Sequence, residues 1–204
     1  MLELGKTFVL AGKHELDMPV PAGKLPIYLH PGYVEDYLFK LQRNDFLALL
    51  AQLSLSGKSV LDVGTGAGFV AIVCARLGAS PVCAIELYDH PFEHARANFT
   101  LNKLPITLVR KIPDLAPMTF DFVLNNEAHL PSYLTLLKDM ASATKPEGSI
   151  ILETDPDVLN SHRTTDRGIP CGIRLLESAI DSLRLKIVKK HKMPNAEFWE
   201  VKHA

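Results

Sequence analysis

Cysteine is scarce in this chain of 204 residues. Its three cysteines, Cys74, Cys83 and Cys171, are odd in number and form no C-x-x-C pair. That argues against a disulfide scaffold and against a cysteine zinc cluster. Net charge is nearly absent as well: 22 basic residues face 23 acidic ones, leaving a formal charge of −1. A protein held to nucleic acid or membrane mainly by overall charge is excluded, while a local patch is not. Long apolar runs are missing too. The longest uncharged apolar stretch, Val63 to Ala75, contains three glycines and stops at Arg76, well short of a membrane span. The start, Met1-Leu2-Glu3-Leu4-Gly5-Lys6, lacks a basic segment followed by an apolar run, so no signal peptide is read there. There is no internal repeat and no low-complexity tract. What is present is ordinary globular composition, 47% hydrophobic and 22% charged. The expectation is a soluble, cytoplasmic protein with a single core.

The first thirty residues differ from the rest. Pro19, Pro21, Pro26 and Pro31 alternate with Gly12, Gly23 and Gly32, which suits a loop or edge-strand arm rather than a core helix. Phe8-Val9-Leu10 and Ile27-Tyr28-Leu29 are short strand candidates within it. Helical spacing runs from Tyr33 through Leu53, with an interruption near Asn44. From Lys58 onward, strand and helix alternate. Ser59 to Val63 reads as a buried strand and Phe69 to Leu77 as a helix closed by Gly78. Val82 to Glu86 is a second strand, followed by a helix capped at Asp89, with Pro91 in its first turn, running to Lys103. Ile106 to Arg110, Phe120 to Asn125 and Ser149 to Glu153 are further strands. Helices span Ser132 to Ala143 and Gly172 to Leu183, and Leu185 to Lys189 pairs antiparallel with Phe198 to Val201 around Pro194-Asn195. This predicts an α/β fold: a doubly wound, mostly parallel, seven-stranded sheet with an antiparallel terminal pair. Residues 1–56 form an N-terminal arm with covering helices, and 57–204 the main domain. One link is short: about nine residues join Arg110 to Phe120, too few for a full crossover helix.

The most informative segment is Asp62-Val63-Gly64-Thr65-Gly66-Ala67-Gly68, where the first strand turns into its helix. Glycines there permit a tight turn and close approach of backbone to a ligand, at the junction that opens onto the nucleotide crevice of a doubly wound sheet. The spacing is G-x-G-x-G. The dinucleotide fingerprint G-x-G-x-x-G/A needs Gly or Ala at position 69, which is Phe69, so a nicotinamide oxidoreductase is a disfavoured rival. Glu86 lies eighteen residues beyond Gly68, at the end of the second strand. A carboxylate there can accept hydrogen bonds from both hydroxyls of a ribose.

Val60 to Gly68 followed by Glu86 resembles the cofactor site of class I S-adenosylmethionine-dependent methyltransferases, over roughly residues 57–202. The resemblance implies a Rossmann-like fold, S-adenosyl-L-methionine as cofactor and S-adenosyl-L-homocysteine as product. It also implies that Gly64, Thr65, Gly66 and Gly68 pack against the methionine part and that Asp62 supports the turn and the cofactor's amino group. Glu86 corresponds to the ribose-binding acid. Tyr88 falls near the adenine, Asp114 near the adenine amine, and Asn125 at the cofactor end of the fourth strand. Phe120-Asp121-Phe122-Val123-Leu124-Asn125-Asn126 is similar to the Phe-Asp-x-x-x-x-Asn strand of ribosomal-protein lysine methyltransferases and of related glutamine and adenine N-methylating enzymes. Two features depart from those groups. Asn126-Glu127-Ala128-His129 stands where the glutamine and adenine enzymes carry Asn-Pro-Pro-Tyr, and residues 19–56 hold no glycine-rich, histidine-containing segment.

Methyl transfer from a sulfonium is an in-line displacement, so the protein must position a nucleophile and remove its proton. Asn126 is a candidate to orient a substrate N–H, Glu127 to attract a cationic amine, and His129 to act as general base at neutral pH. Alternatively, Asn126 and Glu127 cap the helix after Pro131. In the polar stretch Asp155 to Pro170, His162, Arg163 and Arg167 are either substrate-binding residues on a lid or parts of a solvated loop. Tyr28, with His30, Tyr33 and Tyr37, either walls a substrate pocket or packs. His90 and His94 have metal-compatible spacing but no convincing third ligand, and are read as surface residues. No metal site is expected. The expected acceptor is a nitrogen of a protein side chain or small molecule, with oxygen open and nucleic acid less favoured. A rival of another class is a non-catalytic cofactor-binding scaffold subunit of a methyltransferase complex.

Overall fold

The computed structural model describes residues 13–17, 24–28, 45–126, 133–154, 173–193 and 196–204. Strands β1 (Lys13–Asp17) and β2 (Lys24–Tyr28) pair antiparallel as a separate ribbon. Pro26 fits because both strands of a two-stranded ribbon are edges. The strand expected at Ile27 to Leu29 therefore lies earlier, and β1 is an addition: with one leucine in five residues it offers no apolar alternation. Phe8-Val9-Leu10 falls outside the described residues. So does the first part of the long helix expected from Tyr33, whose described portion is α1 (Asp45–Gln52), starting just past Asn44.

The main sheet contains β3 (Val60–Val63), β4 (Val82–Ile85), β5 (Ile106–Val109), β6 (Phe120–Asn125), β7 (Thr144–Thr154), β8 (Leu185–Lys192) and β9 (Glu197–His203). Its order is β5-β4-β3-β6-β7-β9-β8. The first five strands in that order are parallel; β9 runs antiparallel to β7, and β8 to β9. The connecting helices are α2 (Phe69–Arg76), α3 (Asp89–Asn102), α4 (Tyr133–Ala143) and α5 (Ile173–Ser182). The short link after β5 holds only a 3-10 turn, Ile112–Leu115. The chain there leaves the sheet edge and returns to the far side of β3, so strand order reverses between β3 and β6. Ligands bind at the carboxyl ends of strands at such a switch point.

Alternation along each central strand divides the apolar residues between two cores. Val60, Ala84, Leu124, Ile151 and Phe198 join α1, α2 and α3 on one face. Leu61, Cys83, Val123, Ile150 and Trp199 join α4 and α5 on the other. Because both faces are covered, the strands read as continuous apolar runs. Cys74 and Cys83 are buried free thiols, one in each core, and burial pushes both thiol pKa values up. At the opposite end of the sheet from the switch point, Asp121 Oδ2 accepts bonds from Ser59 N (2.9 Å), Ser59 Oγ (2.8 Å) and Lys145 Nζ (2.9 Å). Although burial opposes it, the Lys145 and Ser59 bonds hold this carboxyl well below the usual range.

Candidate active site

The glycine turn is anchored to β4 as it leaves β3, and it closes on itself. Gly64 N and Thr65 N both donate to Ile85 O of β4, at 3.0 and 2.9 Å, and Gly68 N closes on Thr65 O at 2.9 Å. Gly64, Gly66 and Gly68 all have positive φ, of 76°, 57° and 87°. At Gly68 a second constraint acts: an added Cβ would lie 2.4 Å from Phe99 Cε1 and 3.3 Å from the Ala95 Cα. Helix α3 thus packs directly on the turn, and the buried Asn98 on the same helix donates to Ala67 O at 2.8 Å.

Asp62 is fully enclosed beneath the turn. Its Oδ2 accepts the Thr65 hydroxyl at 2.5 Å and the Ala71 N–H of α2 at 3.1 Å. Burial pushes its carboxyl up to about 6, and Glu86 adds to the rise, against the pull of those two bonds. Glu86, also buried, uses one oxygen to accept Gly66 N and the other to accept Tyr88 N, both at 3.0 Å. Each carboxylate oxygen retains a further lone pair for a ligand. Asn125, at the end of β6, donates from Nδ2 to Val63 O at 2.9 Å across the switch point. Its buried Oδ1 has no hydrogen-bond partner among the described residues. This amide therefore stitches β6 to β3 and holds an acceptor in reserve beside the turn.

These residues gather at one end of the sheet: Asp62, Gly64, Thr65, Gly66, Gly68, Glu86 and Asn125 converge as the sequence suggested. Tyr88 borders them, 52% exposed. Asp114 is placed differently from the others. It is exposed on the 3-10 turn, where Oδ2 accepts the Lys111 N–H at 3.0 Å and closes that turn. Asn126 is exposed just past the end of β6. Glu127, His129, His162, Arg163 and Arg167 lie outside the described residues, and Tyr28 is described only as the last residue of β2. Two expectations need correction. Asp89 does not cap α3: Tyr88 occupies that position in extended conformation, and Asp89 instead pairs with Arg110 at 2.9 Å. His94 is not a surface residue but 4% exposed, its ring edge-on to His90. Among the described residues no group of three or more His, Cys, Asp or Glu could hold a metal, and no helix is long and apolar enough to cross a membrane.

Sequence reasoning overlooked Asn98, Phe99 and Arg110. Arg110 donates to Leu87 O at 3.0 Å and lies 3.8 Å over the Phe92 ring, tying β5 to the loop that carries Glu86 and Tyr88. Asn98 and Phe99 share the buried face of α3 with His94 and Ala95. Half of that face is polar, so the helix lacks the apolar stripe that would have marked it.

A seven-stranded sheet in this order, with a glycine turn after β3 and an acid after β4, defines the class I S-adenosylmethionine-dependent methyltransferase fold. A family model described as ribosomal protein L11 methyltransferase (PrmA) matches residues 45–154, more than half of the chain. The chain belongs to the ribosomal protein L11 methyltransferase family. It is 32% identical over 130 residues to the ribosomal protein L11 methyltransferase of Aquifex aeolicus, covering 63% of this chain and 52% of that one. The chain spans about a third to a half of the length of the curated relatives it matches. Among solved structures, the ribosomal protein L11 methylase of Lactobacillus delbrueckii subsp. bulgaricus superposes with a TM-score of 0.59 at 22% identity, covering 79% of this chain and 78% of that one. M. jannaschii TYW2, crystallised with AdoMet, superposes at 0.65 with 14% identity, over 95% of this chain and 88% of its own. The subfamily likeness drawn from Phe120 to Asn126 is borne out.

Proposed function

We propose that this chain binds S-adenosyl-L-methionine at the carboxyl ends of β3, β4 and β6 and transfers its methyl group to a nitrogen of a protein side chain. The acceptor is a ribosomal protein of the kind its relatives are named for. The observation that carries this reading is the convergence of two buried carboxylates, Asp62 and Glu86, on a glycine turn at the switch point, in a chain of this family. The donor set suits such a molecule: Asp62 faces a cationic amino group, Glu86 accepts from ribose hydroxyls, and Asn125 Oδ1 offers a further acceptor. Residues 57–204 serve cofactor binding, and residues 1–56, Tyr28 among them, serve substrate binding.

The cofactor supplies an activated methyl group on a sulfonium. The chain's own residues supply position and proton removal. Asn126, directly after Asn125, orients the acceptor N–H; Glu127 draws in a cationic amine; His129 takes the proton. Arg163 and Arg167, with His162, engage the substrate from the polar stretch after β7. The substitution of Asn126-Glu127-Ala128-His129 for Asn-Pro-Pro-Tyr favours one alternative, a cofactor-binding scaffold without its own catalysis.

Calorimetric titration with S-adenosyl-L-methionine, S-adenosyl-L-homocysteine and NADH tests the cofactor assignment. Micromolar binding of the two sulfur nucleotides and none of NADH is expected. A folded protein that binds neither sulfur nucleotide refutes it. Labelled methyl transfer to ribosomal protein L11 by the purified chain then eliminates the scaffold. Binding without transfer to any protein nitrogen favours the scaffold instead.

A further inference from the structure

We propose that the edge strand β8 is a docking surface for the phosphodiester backbone of a single-stranded nucleic acid. The near-zero net charge conceals a segregation. Arg184, Lys186, Lys189, Lys190 and Lys192 fall within nine residues that contain no acid, and all five are exposed on the outermost strand of the sheet or in the turn leading to it.

The acids nearest in the ladder are already engaged. Glu200 accepts the Ser149 hydroxyl at 2.8 Å and faces His191 at 3.4 Å and Lys202 at 3.8 Å. Glu197 accepts the Trp199 indole N–H at 2.6 Å. Lys190 lies 4.1 Å over the Trp199 ring. Lys186, Lys189 and Lys192 make no ion pair among the described residues. Lys186 stands directly opposite Lys202 in the ladder, an arrangement of like charges that destabilises a strand pair.

Defence of a sheet edge does not account for this density. An edge has only to deter a second strand, and the irregularity between Ile187 and Lys189 already interrupts the ladder. The same interruption argues against an acidic peptide adding as an extra strand. A flexible polyanion needs no ladder, only cations at intervals. Lys186 to Lys192 spans about 20 Å along the edge, room for several successive phosphates. The pairing puts Lys186 and Lys189 on one face of that edge and Lys190 and Lys192 on the other, so a phosphate chain following the edge meets cations from both sides. Lys192 pairs with Glu197, which pairs with Thr154 at the carboxyl end of β7. The stripe therefore ends at the same end of the sheet as Asp62, Glu86 and Asn125.

Fluorescence anisotropy with a labelled oligouridylate tests this, with oligothymidylate and polyglutamate as comparisons. The variant K186Q/K189Q/K192Q keeps the Lys190–Trp199 contact, and K103Q/K138Q/R174Q removes as much charge from exposed sites elsewhere. Wild type should bind oligouridylate, with log affinity falling against log salt at a slope of roughly −2 for three phosphate contacts. The β8 variant should lose about tenfold in affinity at low salt, while the control loses less than about twofold. Oligothymidylate binding within a few fold of oligouridylate identifies the phosphate chain as the ligand; strong preference for the uridylate restricts the surface to RNA. Neither variant should melt below wild type, and the β8 variant, relieved of the Lys186–Lys202 opposition, should melt at or slightly above it. Absent wild-type binding, equal loss in both variants, or polyglutamate binding as tightly as oligouridylate each overturns the proposal.

Discussion

Replacing Gly68 by alanine perturbs the site at its most constrained point. Two independent penalties apply. The residue sits at φ +87°, a conformation that costs an L-residue roughly 1–2 kcal/mol. The new methyl would also stand 2.4 and 2.9 Å from two atoms of the Phe99 ring, and Phe99 is itself buried in the core beneath α3. Overpacking of this kind costs typically 1–3 kcal/mol. The sum, about 2–5 kcal/mol, is a large part of a stability of about 5–15 kcal/mol. Urea denaturation read by far-UV circular dichroism gives the comparison, with the midpoint falling and the slope unchanged. The double variant Gly68→Ala/Phe99→Leu separates the penalties. Compared with Phe99→Leu alone, the alanine should then cost only the backbone share. A Gly68→Ala protein within about 0.5 kcal/mol of wild type would refute both the φ argument and the packing argument.

Four further outcomes are expected. Asp62→Asn should leave the ligand-free protein as stable as wild type or more so at pH 8: burial raises the carboxyl from 3.8 to about 6, so the native state binds its proton more tightly and loses roughly 3 kcal/mol as pH rises through that interval. Melting temperatures from pH 4 to 8 check this, and the same variant should fail to bind S-adenosyl-L-methionine by calorimetry. Glu86→Ala should weaken cofactor binding by roughly 1.5–3 kcal/mol; unchanged calorimetric affinity would discredit the ribose assignment. Asp121→Asn should lower stability at pH 7 by about 1–3 kcal/mol. Because the folded carboxyl lies below its unfolded value, that difference should shrink as pH falls below about 4, in urea melts at each pH. His129→Ala should cut methyl transfer at least about a hundredfold while cofactor affinity stays within twofold, and unfolding on heating at the wild-type temperature separates catalysis from a structural role.

The parallel core was legible because its central strands β3 and β4 are buried along their whole length and therefore read as apolar runs between turn residues. Asp62, Glu86 and the glycine turn were legible for a related reason, since their positions are tied to strand ends that periodicity locates within a residue or two. Ser149 was expected to begin β7, yet the strand starts at Thr144, directly after α4. Lys145, Pro146 and Glu147 carry no strand signal; they lie in the irregularity between the Thr144–Phe120 and Ser149–Phe122 pairs, where the Lys145–Asp121 bond ties them to β6. Asn98 escaped notice because its value lies in a long-range bond to Ala67 O, and a polar residue in a helix looks solvated until its partner is known. Arg110 was hidden likewise, as its partners Leu87 and Asp89 are more than twenty residues away.

The division of each strand between two cores behaves like a reading frame. Val60 and Asp62 belong to the side of α2, Leu61 and Val63 to the side of α4. One residue inserted into β3 would carry the carboxylate out from under Thr65 and Ala71 and exchange apolar partners along the strand. Natural length variation in such chains should then concentrate in the connections, such as the segment between β8 and β9, and vanish from β3 and β6. The central strands are thus intolerant of a change in count, and insertional scanning would trace that boundary residue by residue.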